Sequence, residues 1–281
     1  MEKGEAKRAE PMTVNLQDGL AIRVYSDRRP SNLEIAGIQK GLILINGGME
    51  LVEEGAGFGL PIAIFRDKTL FPGSATLRVI QNEPYLVIEK IYEMDTVSMK
   101  IFGRSRISDA IYHPVHKVFS VIYLSLGSLR PVLNKVIELR DTAGVKTSFQ
   151  STELRGRVTV RYTIHSGYIE VEAKSEMAEG CKKLIMLNEQ GAGTFRVCKE
   201  GTSTLIDDEI GAWRTIKSHE ATLSSSDDRI SFTMKRPTDA VFRIGRESVK
   251  GKLSWAGFSL SYDVNHPISY TIKVSTRSPA A

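Results

Sequence analysis

The chain has 281 residues, of which 41% are hydrophobic, so it is long enough to bury a large core. Its net charge of +5 is spread along the sequence and only 7% of its residues are aromatic, which argues against a nucleic-acid-binding surface. No apolar run approaches the roughly 18–20 residues of a membrane helix, and the charged N-terminus does not have the pattern of a signal peptide. With only two cysteines, the sequence predicts a cytoplasmic protein that has no membrane partner.

Short alternating segments dominate the N-terminal third of the chain. We expect a disordered tail over residues 1–11, followed by one domain over residues 12–281. Asp18-Gly19 separates two alternating runs, 12–16 and 20–25, and this pattern predicts a β-hairpin. Further strands are predicted at 33–38, 42–45, 62–65, 69–71 and 75–80, with turns at 66–68 and 72–73, and a strand pair at 85–92 and 97–102.

A first glycine-rich stretch, GGMELVEEGAGFGLP, covers residues 47–61. A phosphate-binding loop needs a helix immediately after its glycines, whereas Pro61 and a strand-like run follow here. We therefore expect a tightly packed crossing of strands. Glu50, Glu53 and Glu54 lie just upstream, and Glu50 is a candidate ligand-binding residue at the rim of a sheet.

His113 and His116 form the only close histidine pair. Residues at i and i+3 of a strand point to opposite faces, and a zinc site needs three or four ligands, so no metal is predicted here. They remain candidate catalytic residues. A strand is predicted at 118–126, and an amphipathic helix at 131–143 that begins with Pro131 and ends before Gly144.

The C-terminal half returns to alternation, most clearly at 158–164 and 169–173. Later strands are predicted at 230–234, 240–244, 253–262 and 270–275. Parallel sheets need a helix between most strands, and such helices are missing from the pattern. The fold class predicted is therefore all-β, as a large antiparallel β-sandwich with one or two short helices.

A second glycine-rich stretch covers residues 184–214. An apolar run at 184–187 precedes Glu189, a Gly-Ala-Gly turn at 191–193 and a return strand at 194–199, which predicts a hairpin. In that register Cys198 lies opposite a residue near 185, about 13 Å along the ladder from Cys181. This exceeds the reach of a disulfide, so both thiols are predicted to be free.

Glu189 directly follows a buried strand, where a carboxylate must find a partner or be tuned for chemistry. Arg196 and Arg214 are candidate partners, and a structural ion pair is favoured over a catalytic role for Glu189. Trp213 and Trp255 are either core residues or aromatic platforms for a sugar. Core packing is the favoured interpretation, but Trp255 shares its predicted strand face with glycine and serine, which permits a ligand-facing position.

The number of strands, the length and the near absence of helix resemble the β-supersandwich of galactose-mutarotase-like and polysaccharide-lyase-like proteins. The resemblance is one of architecture over residues 12–276. It implies histidines on central strands and a late glutamate that acts as a base. His113, His116 and His165 precede a late acid, Glu247, in this order, although the local motifs do not match.

These observations predict a carbohydrate-binding or carbohydrate-modifying protein of the epimerase or lyase type. Its candidate catalytic residues are Glu189, His113 and His116, and its candidate ligand-binding residues are Arg214, Trp255 and Glu50. No cofactor, metal or nucleic-acid partner is predicted. The alternative is a non-enzymatic structural or protein-interaction module, and self-association is left open.

Overall fold

A computed structural model describes residues 11–17, 19–26, 39–52, 56–66, 69–102, 146–249 and 253–277 of the chain. The described residues are almost entirely strand, in two antiparallel sheets. The small sheet has the order β1-β2-β3-β4, with bounds Met12–Gln17, Leu20–Val24, Ile43–Asn46 and Met49–Glu50.

The large sheet contains fourteen strands in the order β12-β11-β14-β15-β18-β9-β8-β7-β6-β5-β10-β17-β16-β13. Its first strands in the chain are β5 Gly57–Phe65, β6 Thr69–Gln81, β7 Leu86–Phe102, β8 Lys146–Ile164, β9 Tyr168–Met177 and β10 Cys181–Gln190. The others are β11 Val197–Glu200, β12 Ser203–Ile206, β13 Arg214–Thr215, β14 Glu220–Ser224, β15 Ile230–Lys235, β16 Val241–Val249, β17 Leu253–Asp263 and β18 Ile268–Thr276. A 3₁₀ turn, Asp207–Glu209, follows β12.

The core lies between two layers of this sheet. On β8 the alternating side chains at 158, 160, 162 and 164 are buried, as the period of two predicts. The Tyr270 hydroxyl on β18 donates to Asn188 Oδ1 on β10 at 3.1 Å, although six steps of strand pairing separate these strands. The sheet must therefore fold over on itself, so that β18 lies across the core from β10. This confirms the all-β sandwich.

Gln190 joins the small sheet to the large one. Its side chain accepts from the Leu44 N–H at 3.2 Å and donates to the Leu42 carbonyl at 3.3 Å. Leu42 also forms a bridge with Phe58 of β5. The predicted Asp-Gly hairpin is confirmed, because Gln17 pairs with Leu20 where β1 turns into β2.

Three predictions about local structure are wrong. The predicted turn at 72–73 is a bulge inside the continuous strand β6, and the predicted pair 85–92 and 97–102 belongs to the single strand β7. The predicted hairpin over 184–199 is also wrong, because β10 pairs with β5 and β17, whereas β11 pairs with β12 and β14. Its glycines turn the chain without bringing the return strand beside β10.

Cys181 and Cys198 are both free, as predicted. They are separated because their strands belong to distant parts of the sheet, so the prediction is correct for a different reason from the one that produced it. The predicted helix at 131–143 lies outside the described residues. Within those residues, no helix combines the length and apolarity that crossing a membrane requires.

Candidate active site

The two glycine-rich stretches meet at Glu189. In the pairing of β5, β10, β17 and β16, one row across the sheet reads Gly57, Glu189, Gly257 and Gly245. A Cβ atom added to Gly257 would lie 2.8 Å from Glu189 Cγ, so the glutamate side chain lies directly on the Gly257 backbone. A carboxylate on a central strand can take this position because the residue beside it has no side chain.

The Glu189 side chain points away from the core shared with β18. Its neighbours Asn188 and Gln190 face that core and are fully buried. Strand alternation places Glu189 on the outer face of this layer, where 7% of its surface remains exposed. The carboxyl group is therefore nearly removed from water without belonging to the hydrophobic core.

Backbone and charge act together on the Glu189 carboxyl. Burial raises its pKa to about 7, while the Ala56 N–H and the positive charge of Lys40 act in the opposite direction. The Ala56 N–H donates to Glu189 Oε2 at 2.9 Å, and Ala56 directly precedes β5. A carboxyl group with a pKa near neutrality can both accept and donate a proton at physiological pH.

Two tryptophans and a second glutamate share this outer face. Trp255 pairs with Glu247 across β17 and β16, two residues along from the row that contains Glu189. The rings of Trp213 and Trp255 are stacked, with centroids 4.7 Å apart and an angle of 16° between planes. They cover Gly245, because a Cβ atom there would lie 2.8 Å from the Trp255 ring.

Burial raises the pKa of the Glu247 carboxyl, and interaction with the Trp255 side chain opposes that shift. Glu189 and Glu247 are two strands and two residues apart, which places their Cα atoms about 12 Å from each other at ordinary sheet spacings. Two carboxyl groups with raised pKa values and a tryptophan pair are thus gathered on one side of the layer.

Neither of the predicted arginine partners contacts Glu189. Arg196 forms a two-pronged pair with Asp207, with distances of 2.8 and 2.6 Å. Arg214 binds Glu200 at 2.6 Å. The structural ion pair proposed from the sequence is therefore wrong, because both arginines are satisfied by other carboxylates.

The remaining predicted site residues lie apart from Glu189 or cannot be placed. Glu50 is in the small sheet, where it accepts from Arg23 at 3.0 Å and from the Tyr25 hydroxyl. Trp255 is the exception, because it lies on the same face as Glu189, with 8% of its surface exposed. His113 and His116 lie outside the described residues. His165 is in the β8–β9 turn, where it stacks on Tyr168.

The two thiols add no nucleophile to this face. Burial raises the pKa of Cys181, and it raises the pKa of Cys198 to about 11 against the opposing charge of Arg214. A thiol with a raised pKa is a weak nucleophile at neutral pH. In the part of the chain that is described, no group of three or more His, Cys, Asp and Glu side chains is arranged to hold a metal ion.

Sequence reasoning missed the groups that set the state of Glu189. The Ala56 donor is a backbone N–H, which leaves no trace in residue identity. Lys40 lies about 150 residues from Glu189 in the sequence, and only the pairing of distant strands brings the two together. The glycine row was the available signal, since isolated glycines inside strands mark close backbone approach.

No protein-family model matches the sequence, and no curated protein sequence matches it. Solved structures with a similar fold include an α-N-acetylgalactosaminidase of Bifidobacterium bifidum, with a TM-score of 0.49 and 7% identity. The alignment covers 96% of this chain and 36% of the enzyme, so the chain spans about a third of that protein's length.

Two smaller proteins align over nearly their whole length. A galactose mutarotase-like protein of Lactobacillus casei ATCC 334 has a TM-score of 0.44 and 10% identity, and the alignment covers 95% of this chain and 100% of that one. A candidate aldose 1-epimerase of Escherichia coli K12 has a TM-score of 0.44 and 7% identity, with coverage of 95% and 99%. The similar structures therefore include galactose-mutarotase-like proteins, the class of fold that the sequence resembles. The likeness is one of fold alone.

Proposed function

We propose that this protein binds a sugar on the outer face of β10, β17 and β16 and interconverts its anomers by acid–base catalysis. The observation that carries the proposal is the Glu189 carboxyl, which is almost buried, has a backbone donor and has a pKa of about 7. A group tuned in this way matches the requirement for proton transfer at neutral pH.

The chemistry needs one proton acceptor and one proton donor. Ionised Glu189 takes the proton from the anomeric hydroxyl, the bond between C1 and the ring oxygen breaks, and the ring oxygen receives a proton. Glu247 is the candidate donor, because it lies on the same face, two residues along from the row of Glu189, and burial raises the pKa of its carboxyl. Closure of the ring on the other face of C1 reverses the proton transfers and restores both carboxyl groups.

The tryptophan pair supports a sugar as the ligand. An indole ring offers a flat apolar surface, and such rings beside a few polar groups are typical of small-molecule sites. Trp255 contributes both features, since it stacks on Trp213 and interacts with Glu247. A sugar on this face would lie between the two carboxyl groups.

Two-dimensional exchange NMR on D-galactose and D-glucose tests the activity, because it measures the interconversion of anomers at equilibrium. We expect the protein to accelerate exchange, and Glu189→Gln to reduce the acceleration by about 10²–10⁴-fold, the usual contribution of a general acid or base. For the wild type, kcat/KM should fall as the pH drops through about 7, because the base becomes protonated.

Glu179→Gln is the matched control, since Glu179 is exposed and lies in the turn after β9. It should exchange the anomers at the wild-type rate. Acceleration that survives Glu189→Gln, or a wild-type protein that accelerates neither sugar, would contradict the proposal and favour a non-enzymatic role.

A further inference from the structure

A groove of about 260 Å³ lies on the other side of the molecule, along β14, β15 and β18. Thr271 and Lys273 alternate along β18 with Tyr270, whose hydroxyl reaches Asn188 through the core. They therefore face away from the core on the layer opposite Glu189. The residues that line it include Glu220, Thr233, Lys235, Arg236, Thr271 and Lys273.

The groove has an excess of positive charge. Three of the lining side chains are cations, Lys235, Arg236 and Lys273, and one is a carboxylate, Glu220. Among the described residues, none of the three cations has an ion-pair partner. On the same outer surface, by contrast, Arg161 is paired with Glu89 at 3.3 Å. Glu220 lies opposite Lys235 across β14 and β15, so the lining has a net charge of +2, and a positively charged concave surface concentrates anions. Glu170 and Glu172 lie beside the groove on β9, opposite Thr271 and Ser269.

The strand register places the lysines at fixed positions. Lys273 pairs with Thr233, and Lys235 is two residues further along the same face of β15. The Thr233 hydroxyl shares a hydrogen bond of 2.7 Å with Thr222, which orients it at the floor of the groove. Thr271 supplies a further exposed hydroxyl. The groove therefore offers neutral hydrogen-bonding groups beside its charges.

An aromatic ring lies at the β9 edge of the groove. Tyr168 pairs with Lys273, is 37% exposed and stacks on His165 with centroids 4.2 Å apart and 12° between planes. The ring is thus held in place by the β8–β9 turn. Its free side is a flat surface of the kind on which a sugar ring can pack.

We propose that this groove is a second binding site, which takes a small anionic sugar through its carboxylate or phosphate group. Lys235, Arg236 and Lys273 bind the anionic group, the threonine hydroxyls bind sugar hydroxyls, and Tyr168 contacts the ring. The volume suits a single sugar unit, because sites for drug-sized ligands span roughly 300–1,000 Å³.

Backbone-amide NMR titrations of the full chain test this site with three probes, D-galacturonate, D-glucose 6-phosphate and neutral methyl β-D-galactopyranoside. We expect at least one anionic sugar to bind saturably and to shift the amide signals of Thr233 and Thr271. The neutral glycoside should leave those signals unchanged. Whichever anionic sugar binds more tightly identifies the anionic group that the groove prefers.

Paired variants separate a built site from general charge attraction. The double variant Lys235→Gln/Lys273→Gln should weaken the binding of the anionic sugar at least tenfold. Tyr168→Ala should weaken the binding of the sugar more than it weakens the binding of inorganic phosphate. Lys182→Gln/Lys183→Gln removes the same charge from exposed positions on β10 and should bind like the wild type. Glu189→Gln should also leave this binding unchanged, which separates the groove from the proposed active site.

Three results would overturn the proposal. One is the absence of saturable binding by both anionic sugars. Another is equal weakening by the two double-lysine variants, which would show attraction by net charge alone. The third is binding of the neutral glycoside at the same amides with the same affinity.

Discussion

Glu189 couples its own protonation to the stability of the fold. Its pKa in the folded protein is about 7, above the ordinary value of 4.5, so the folded state binds the proton more tightly than the unfolded state. The stabilisation that this proton provides is fully present below pH 4.5 and is lost as the pH rises to about 7. At 1.36 kcal/mol per unit of pKa, the full change is about 3 kcal/mol.

Comparison of the wild type with Glu189→Gln isolates this effect, because glutamine stays neutral at every pH. Between pH 4.5 and 8, urea denaturation should show the free energy of unfolding of the wild type falling by about 3 kcal/mol relative to the variant. Carboxylates with lowered pKa values, such as Glu200, change the stability of both proteins equally. A difference that does not vary with pH would show that Glu189 is not desolvated.

Arg246 provides a second prediction about a single residue. Its guanidinium is 6% exposed, and it contacts Asp207 at 3.1 Å and the Ala192 carbonyl at 3.1 Å. Replacement by methionine retains most of the volume but removes the donor to the buried Ala192 carbonyl, whereas Asp207 keeps Arg196 as a partner. We expect Arg246→Met to lower the free energy of unfolding by about 2 kcal/mol in chemical denaturation, the cost of a buried acceptor without a donor.

Arg196→Gln is the matched control, because Arg196 binds the same Asp207 from the solvent side. An exposed ion pair contributes little to stability, so this variant should unfold close to the wild-type denaturant midpoint. If both variants lost the same free energy of unfolding, the buried contacts of Arg246 would stabilise the fold no more than the exposed pair between Arg196 and Asp207.

The sequence could identify Glu189 as a candidate site residue, but it could not identify the groups that contact it. Glu189 could be recognised as unusual because a charged residue follows an apolar run. Its partner could not be recognised, since the Ala56 N–H and Lys40 reach it only through the pairing of distant strands. Both arginines seemed suitable by proximity in sequence, but each lies beside a carboxylate that sequence distance does not reveal.

At the scale of the element, the row of glycines beside Glu189 is a requirement of packing. A Cβ atom on Gly257 would lie 2.3 Å from the Asn188 carbonyl oxygen and 2.7 Å from Glu189 Cα. Contacts this short force β17 away from β10. Gly257→Ala should therefore lower the free energy of unfolding by about 2 kcal/mol, within the usual range for overpacking.

The same substitution should impair the proposed activity, because it displaces the strand that supports Glu189. Gly167→Ala is the control: an added Cβ atom there meets Gln17 at 3.5 Å, an ordinary contact. Thermal unfolding and anomer exchange should both distinguish the two variants. A Gly257→Ala protein with wild-type stability would show that the two strands separate easily.

Strand patterns could be predicted wherever alternation decides which side faces the core, as at 158–164. Strand partners could not, because antiparallel pairing is set by the whole sheet. The strand that contains Cys198 follows a Gly-Ala-Gly turn, yet it pairs with β12 and β14 because β10 already has β5 and β17 on its two sides. A turn signal predicts that the chain reverses but does not predict which strand it meets.

At the scale of the whole molecule, a polar network joins the layers of the core. Asn188 Oδ1 accepts from the Gly59 N–H at 3.0 Å and from the Tyr270 hydroxyl at 3.1 Å. The Tyr162 hydroxyl donates to the Gly59 carbonyl at 3.0 Å. Four strands from separate parts of the sequence, β5, β8, β10 and β18, therefore depend on the same buried groups, and this dependence couples the unfolding of one layer to that of the other.

The sequence predicted one domain over residues 12–281, and this network leads to a test of that prediction. Trp213 and Trp255 report on β16 and β17 through their fluorescence, whereas far-ultraviolet circular dichroism reports on all strands. If the layers unfold together, both signals should give the same midpoint in urea. Tyr270→Phe removes one cross-layer bond and should shift both midpoints together, by about 1 kcal/mol in free energy of unfolding. Fluorescence and dichroism transitions that separate in the wild type would instead show that the tryptophan-bearing layer unfolds on its own.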